Sequence, residues 1–345
     1  MPKTRNQAVM QWLFVFAFIV AFLVVYGGFV RLTRSGLSIT EWNPISGSIP
    51  PIGEQVWQDE FAKYQGTPEF KQINSNMTLQ DYQFIFYVEW MHRILARLAG
   101  LFYAIPLFYF LFKKIIPLKE FGIYFVIGSL FIAQAVAGWV MVASGLVDRP
   151  SVSHFNLTIH LLLALILFGL SLWTAFGHKY GFSDPGKKAK WSFPSKLALF
   201  SFIILLIQIT YGGMTAGLKA GHVSDTWPLM FGKLIPSNII NSWVDLFESP
   251  QTIVFIHRWL AWLGIVLAPG VFNVVRKQHY PPDIQKGALW LLGVVALQIA
   301  LGVLTILSYV NILLALIHQA NALVLFALAV HFIHRFRELD HRSAD

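Results

Sequence analysis

Four histidines recur at similar depths in the even-numbered apolar segments of this chain: His92, His160, His257 and His318. Each lies a few residues inside a predicted membrane helix, close to the same membrane face. Histidine is costly inside a bilayer, so histidines at such positions usually serve a function. Neutral imidazoles facing the interior of a helix bundle are common ligands of haem iron. Two histidines in each half of the chain therefore predict two haem sites.

A haem-binding role fits the four histidines better than a structural role or a bare metal ion. A single intramembrane histidine could simply bridge two helices, but four at matched depths favour a shared function. A tetrahedral zinc ion would need all four around one point, and a copper site would usually add Met or Cys. Haem needs one axial histidine from each of two facing helices. Ala96, Ala164 and Trp262 would accommodate a porphyrin, although ordinary helix packing explains each of these residues equally well.

A carboxylate accompanies only one of the histidines. Glu89 lies three residues before His92, on the same helix face, and it is the one carboxylate well inside a predicted span. A carboxylate there is expensive, and the matching position in the second half is Val254. This difference predicts a reactive N-terminal site with Glu89 as its acid or base, and a supporting C-terminal site. The alternative is a salt bridge from Glu89 to Arg93 or Arg97.

Two arginines directly follow histidines of the set. Arg93 and Arg258 are predicted to bind haem propionates, because guanidinium groups pair well with carboxylates. Arg31, Arg34 and Lys219, at the outer ends of spans one and five, are competing candidates. The remaining histidines are interpreted as loop or interface residues; they are His154, His178, His222, His279, His331, His334 and His341.

The composition indicates which elements position these residues. The chain has 345 residues, 56% of them hydrophobic and only 12% charged, about half the charged fraction of a soluble domain. Runs of about 20 apolar residues predict membrane-spanning helices. An all-α integral membrane protein is expected. The first run is too long for a signal peptide and has no clear cleavage site. Eight spans are predicted, at 9–30, 84–112, 121–144, 154–176, 196–217, 252–275, 286–308 and 312–335.

Charge indicates how the spans are oriented. With the N-terminus inside, most of the 26 Lys and Arg residues fall in inner segments, so the positive-inside rule predicts that both termini are cytoplasmic. This asymmetry and anionic lipid explain the net charge of +9 without nucleic acid. The chain has no cysteine, which excludes disulfides, thiolate ligands and iron–sulfur clusters.

The two halves of the chain resemble each other. The Tyr-Gly-Gly run at 26–28 returns at 211–213, and the His92-Arg93 pair returns as His257-Arg258. Gln134 and Gly138 of the third span match Gln298 and Gly302 of the seventh. We expect two pseudo-symmetric four-helix bundles, at 1–180 and 190–345, related by an axis along the membrane normal.

Two long outer loops complete the predicted organisation, at 31–83 and 218–251. Loops of this length in a compact protein are usually functional. Their segments 54–64 and 238–247 mix aromatic or branched side chains with polar ones. Both segments are predicted to form amphipathic helices on the outer membrane surface.

Several motifs together resemble haem A synthase of the proteobacterial and mitochondrial type, over nearly the whole chain. The resemblance rests on SGLSITEWNP at 35–44, GSIPP at 47–51, EWMHR at 89–93, GLVDRP at 145–150 with His154, AGLKAG at 216–221, TWPLM at 226–230, His257-Arg258 and HQA at 318–320. Single pieces are weak, but the combination is specific.

The resemblance implies an activity: oxidation of a ring methyl of haem O to a formyl group, through two successive hydroxylations, for cytochrome oxidase assembly. It implies that His92 and His160 hold the substrate haem O, that His257 and His318 hold a permanent haem b, and that Glu89 is the catalytic carboxylate. Partners implied are membrane lipid, haem O synthase, cytochrome oxidase assembly factors and a second copy of the chain. Members mainly from Gram-positive bacteria carry a cysteine pair in the first outer loop, which this chain lacks.

Two rival functions compete with this one. A di-haem cytochrome b that only transfers electrons would keep all four ligands but would give Glu89 no chemistry. A transporter or haem-delivery protein would need a midplane cavity with a pair of broken helices, and no convincing pair is visible in the sequence.

Overall fold

Eight long apolar helices dominate the computed structural model, which describes residues 5–43, 46–146, 150–182 and 189–342. Within these ranges the chain is helical, with one isolated β-bridge between Met230 and Lys233. The prediction of an all-α protein with eight spans is confirmed, and the chain is a multi-pass membrane protein. The spans are α1 (Gln7–Leu32), α4 (Leu79–Phe112), α5 (Phe121–Ala143), α6 (His154–Tyr180), α7 (Phe193–Gly217), α9 with α10 (Pro250–Leu260 and Trp262–Lys277), α11 (Pro282–Leu307) and α12 (Ile312–Arg342).

The span helices are apolar around most of their circumference, as expected of helices that face lipid on one side and each other on the other. Large apolar side chains such as Phe18, Phe108 and Phe112 are exposed on the outside. Trp12, Phe168 and Phe326, from spans one, four and eight, meet in the central core. Sequence hydropathy therefore locates the spans but does not show which face is inside.

The second span begins earlier than predicted, at Leu79 rather than near 84. The Thr78 side chain accepts a hydrogen bond from the Asp81 main-chain N–H, and the Asp81 carboxylate accepts one from the Thr78 N–H. This reciprocal capping box starts the helix in polar sequence, before the apolar run.

Of the two predicted surface helices, only the first is present. The segment 54–64 lies within α2 (Glu54–Gln65), which buries Trp57 and Tyr64 against α4; a short α3 (Pro68–Gln72) follows. The prediction for 238–247 is wrong, because that segment is mainly turns and only its end enters the four-residue α8 (Asp245–Glu248). There the Asp245 carboxylate accepts two main-chain N–H groups, and such local side-chain bonds compete with helix formation.

The spans neighbour one another in the same order in each half. In the first half, α1 packs on α4, α4 on α5, α5 on α6 and α6 on α1. In the second half, α7 packs on α9 and α10, α10 on α11, α11 on α12 and α12 on α7. The halves meet where α6 contacts α7 and α12 and where α1 contacts α12. The division into pseudo-symmetric bundles at 1–180 and 190–345 stays a prediction, which this matched order supports.

The sixth span is interrupted at Ala261, between α9 and α10. The matching residue of the second span, Ala96, lies inside the continuous α4. A transporter is expected to carry such breaks in corresponding positions of both halves, and here the second span runs through unbroken.

Candidate haem-binding site

A large cavity lies inside the bundle and reaches the end at which α1 and α7 finish, called here the outer end. Its volume is about 1090 Å³, just above the usual range for ligand sites. His92, His160, His257 and His318 all line it, as does Glu89. The four histidines singled out in the sequence therefore share one internal space.

Each of the four imidazoles is held in the same way. The ring packs on a glycine of the preceding span, and the residue four positions before that glycine also lines the cavity. A Cβ on these glycines would lie only 3.0–3.3 Å from the ring, so a larger residue would crowd the imidazole. The sets are His92 with Leu23 and Gly27, His160 with Gln134 and Gly138, His257 with Gln208 and Gly212, and His318 with Gln298 and Gly302.

This arrangement suits an iron ligand. A ligating histidine typically donates its second ring N–H to a carbonyl or carboxylate, which fixes the ring and leaves the other nitrogen for the metal. Nδ1 of His257 does so with the Gln208 carbonyl oxygen at 3.1 Å. The Gln208 side chain adds a hydrogen bond to the His257 main-chain oxygen at 3.0 Å, and Gln134 does the same for His160 at 3.0 Å.

The geometry of the second pair fits a haem. The ring centres of His257 and His318 are 6.5 Å apart and their planes are inclined by 78°. Two imidazole nitrogens each about 2 Å from one metal place the ring centres roughly 6 Å apart. In the first pair, Nδ1 of His160 is buried without a hydrogen-bond partner. Among the described residues, no group of three or more His, Asp or Glu side chains is arranged to hold a bare metal ion.

Glu89 is buried and accepts hydrogen bonds at both carboxylate oxygens. Oε2 accepts from the Ser38 N–H at 2.9 Å, the Ser38 hydroxyl at 2.7 Å and the Ile39 N–H at 3.0 Å. Oε1 pairs with the Arg93 guanidinium at 2.7 Å. The pairing with Arg93 considered from the sequence is therefore present. At the matching position of the second half, Val254 is buried among apolar side chains.

Arg93 and Arg258 both hold the loop that follows a span. Arg93 donates to the carbonyl oxygens of Ile39 and Glu41. Arg258 donates to those of Ser224 and Thr226, at 2.6 and 3.1 Å. Ile39 and Glu41 correspond to Ser224 and Thr226 in the repeat, at the same spacing that relates the Tyr-Gly-Gly runs at 26–28 and 211–213. Both arginines line the cavity, so binding of propionates by Arg93 and Arg258 stays a prediction, alongside this loop-holding contact.

Replacing Arg258 with lysine should loosen the loop around 224–226, because one ammonium group cannot reproduce the two forked hydrogen bonds. We expect amide exchange at 223–227 to accelerate roughly tenfold, which corresponds to a loss of about 1.4 kcal/mol. Hydrogen-exchange mass spectrometry of the detergent-solubilised protein measures this. Arg93→Lys should act in the same way on 38–42, and unchanged exchange in both variants would contradict the loop-holding role.

The outer mouth of the cavity is cationic. Arg31, Arg34, Lys219 and His222 line it, and burial among these charges lowers the pKa of Lys219. Arg34 and Lys219 each lie two residues beyond the end of a span, with left-handed φ values of 55° and 53°. The residues named as competing propionate partners therefore surround the opening, where they would attract anionic groups.

A second buried carboxylate lies in the outer cap formed by α2 and α3. Glu69 is 5% exposed and accepts a hydrogen bond from the Tyr64 hydroxyl, which itself accepts one from Asn74. Burial is the main cause that raises the pKa of Glu69, to about 7. The sequence pattern did not single out this residue, because it lies in a polar loop.

The outer cap should lose stability as the pH rises, because the folded-state pKa of Glu69, about 7, exceeds its ordinary value of 4.5. Between these two pH values, folding is coupled to the uptake of a proton. The free energy of unfolding therefore falls by about 3 kcal/mol as the pH rises from below 4.5 to 7. In thermal melting at pH 5 to 8, Glu69→Gln should match the wild type at the acid end and exceed it at pH 8. A constant difference across this range would contradict the assignment.

Three of the other histidines lie away from the four candidate ligands. His154 begins α6 and approaches the Phe247 carbonyl at 2.9 Å. At the opposite end, His331 lies near Asp283, and His334 packs on Trp173. Sequence reasoning missed Gln208 and the contacts of Gly27 and Gly212. The Gln-x-x-x-Gly spacing shared by spans three, five and seven is the signal that could have revealed them.

Comparisons with known proteins agree with this site. Residues 10–330 match the family described as "Cytochrome oxidase assembly protein" (COX15-CtaA). A protein of Maricaulis maris (strain MCS10) called "Heme A synthase" is 41% identical over 333 residues, 94% of each chain. Proteins with the same name from Wolbachia sp. subsp. Brugia malayi (strain TRS) and Flavobacterium psychrophilum are 38% and 39% identical, over 96% of this chain and 98% and 99% of theirs. With most of its length matched and its spans intact, this chain belongs to the COX15-CtaA family of cytochrome oxidase assembly proteins.

Proposed function

We propose that this protein is a haem A synthase, which oxidises one ring methyl group of haem O to a formyl group for cytochrome oxidase assembly. Two successive hydroxylations, each a two-electron oxidation by an oxidant from outside the chain, would convert the methyl group to a geminal diol, which loses water to leave the formyl group. The observation that carries this proposal is the inequality of two similarly held histidine pairs in one cavity. Among the described residues, a buried carboxylate lies beside only the His92–His160 pair, and a family member that merely transferred electrons would need no acid or base there.

The two pairs then have different tasks. His92 and His160 hold the substrate haem O, whereas His257 and His318 hold a resident haem b. Bound haem b would supply reversible one-electron chemistry at its iron. The 6.5 Å separation of the His257 and His318 rings supports their part of this assignment.

Glu89 acts on the substrate methyl group in this scheme. Its carboxylate takes up a proton as a C–H bond is oxidised, or stabilises a developing positive charge. Ser38, Ile39 and Arg93 hold the carboxylate through five hydrogen bonds, so its position is fixed before the substrate binds. Such preorganisation of a charged group lowers the cost of reaching the transition state.

The setting proposed for this reaction is the inner membrane of a bacterial cell, with both termini in the cytoplasm. The cationic mouth then faces outward and receives the haem propionates, shared among Arg31, Arg34, Lys219 and the two loop-holding arginines. Haem O synthase, cytochrome oxidase assembly factors and a second copy of the chain are the proposed protein partners, within membrane lipid.

Extraction and identification of the haems carried by the purified protein tests the proposal. We expect haem b together with haem O or haem A, and formation of haem A when haem O is supplied to the enzyme in membranes. Haem b alone, with no conversion of haem O, would indicate a di-haem cytochrome b. Protein without tightly bound haem would favour a transporter or a haem-delivery protein.

A further inference from the structure

A second, smaller space lies between α1 and α4, on the lipid-facing side of the first half. Its volume is about 260 Å³, and every side chain that lines it is apolar. The walls include Ile19, Phe22 and Leu23 of α1 and Leu95, Ala99 and Phe102 of α4. We call this space the α1/α4 groove.

The groove adjoins the haem cavity at one residue. Leu23 lines both spaces, and Gly27, four residues further along α1, packs against the His92 ring. The α4 side of the groove, from Leu95 to Phe102, follows His92 by three to ten residues. This places it about 5–15 Å further along the helix axis, away from the cationic mouth. The groove thus begins beside His92 and extends along α1 and α4 away from the cationic mouth.

The residue between the two spaces differs from its counterparts around the other histidines. Gln134, Gln208 and Gln298 occupy the corresponding positions beside His160, His257 and His318, and each amide nitrogen approaches its imidazole at 3.2–3.4 Å. Beside His92 the position is Leu23. A polar amide is therefore replaced by hydrocarbon at the histidine that lies beside the α1/α4 groove.

We propose that the α1/α4 groove receives the isoprenoid tail of haem O, an inference that rests on the proposed function. Haem O differs from haem b by a hydroxyethylfarnesyl group in place of one vinyl group, and this long hydrocarbon chain leaves the porphyrin far from the propionates. Propionates at the cationic mouth and a tail in the groove hold opposite edges of the ring. The porphyrin then cannot rotate about the axis through its iron, and one ring methyl is presented to Glu89.

The same arrangement explains which half binds which haem. Haem b has no tail and needs no groove. Lipid acyl chains already solvate an isoprenoid, so the groove contributes orientation and selection between haems more than general affinity. Blocking it should therefore discriminate against haem O and leave haem b almost unaffected.

The test uses the full-length protein carrying haem at the His257–His318 pair, titrated optically with haem O or haem b at the remaining site. Ala99→Phe fills the floor of the groove, and Leu95→Phe narrows it at a residue that lines the groove but not the haem cavity. Each variant should weaken haem O binding at least tenfold and haem b binding less than twofold. Leu101→Phe, on the lipid-exposed side of α4, is the matched control and should change neither affinity.

Equal responses to haem O and haem b in both variants would overturn the inference. If both affinities stay unchanged, the groove holds a lipid chain or nothing. If Ala99→Phe loses both haems through damage to the fold, the milder Leu95→Phe decides, and a parallel loss there also overturns the inference. A wild type that binds haem O without forming haem A contradicts the proposed function, while the binding ratios still decide the groove. Wild-type protein that binds neither haem overturns both.

Discussion

Replacing His257 or His318 with alanine is expected to remove most of the haem b absorbance of the purified protein. Each ring would supply one of two axial bonds, and a methyl group cannot ligate iron. Gly212 and Gly302, which pack against the two rings, have no side chain that could replace the lost ligand. The Soret absorbance and the extracted haem b per protein measure the effect.

A histidine outside the cavity provides the control. His279 is exposed, with a left-handed φ of 46°, and His279→Asn keeps a residue that tolerates this backbone. It should retain full haem content. Retention of haem b by both ligand variants, or its loss from His92→Ala and His160→Ala instead, would contradict the assignment of haem b to the C-terminal pair.

Glu89→Gln is expected to slow conversion of haem O to haem A at least tenfold, which corresponds to about 1.4 kcal/mol in the activation barrier. The amide has nearly the size of the carboxylate but cannot accept the proton. The amide has one oxygen and one NH₂ group, whereas both carboxylate oxygens of Glu89 accept hydrogen bonds. The NH₂ group would therefore face other donors, either at Ser38 and Ile39 or at Arg93. Chromatography of the haems after a timed incubation measures the rate.

Haem b binding separates a chemical role of Glu89 from a structural one. The Glu89→Gln variant should keep its haem b, because the C-terminal pair has Val254 at the corresponding place. Accumulation of the hydroxylated haem would show that the second oxidation needs the carboxylate. Glu60→Gln removes an outer-cap carboxylate that pairs with Lys63 and should not alter the rate. Wild-type formation of haem A by Glu89→Gln would reduce Glu89 to a partner of Arg93.

Much of this protein could be predicted from its sequence alone. Long apolar runs are sufficient to locate eight spans, because a bilayer requires about 20 apolar residues from each helix. Intramembrane histidines and Glu89 were recognisable because polar groups are rare there. The difference between Glu89 and Val254 was visible because the repeats can be aligned on His-Arg pairs. The prediction of a surface helix at 238–247 was wrong, because turn-forming side chains outweighed the pattern of aromatic residues.

Only the tertiary structure decided what each polar group contacts. The sequence could not show that Arg93 binds the Ile39 and Glu41 carbonyls, because main-chain acceptors leave no mark on residue type. Nor could it show that Leu23 separates the haem cavity from an apolar groove, since leucine is the commonest kind of residue in a membrane helix. These features depend on which helix faces meet across the bundle. Because the side chains of the spans are almost all apolar, the sequence carries little information about which faces meet. Packing between segments that are distant in the sequence decides it.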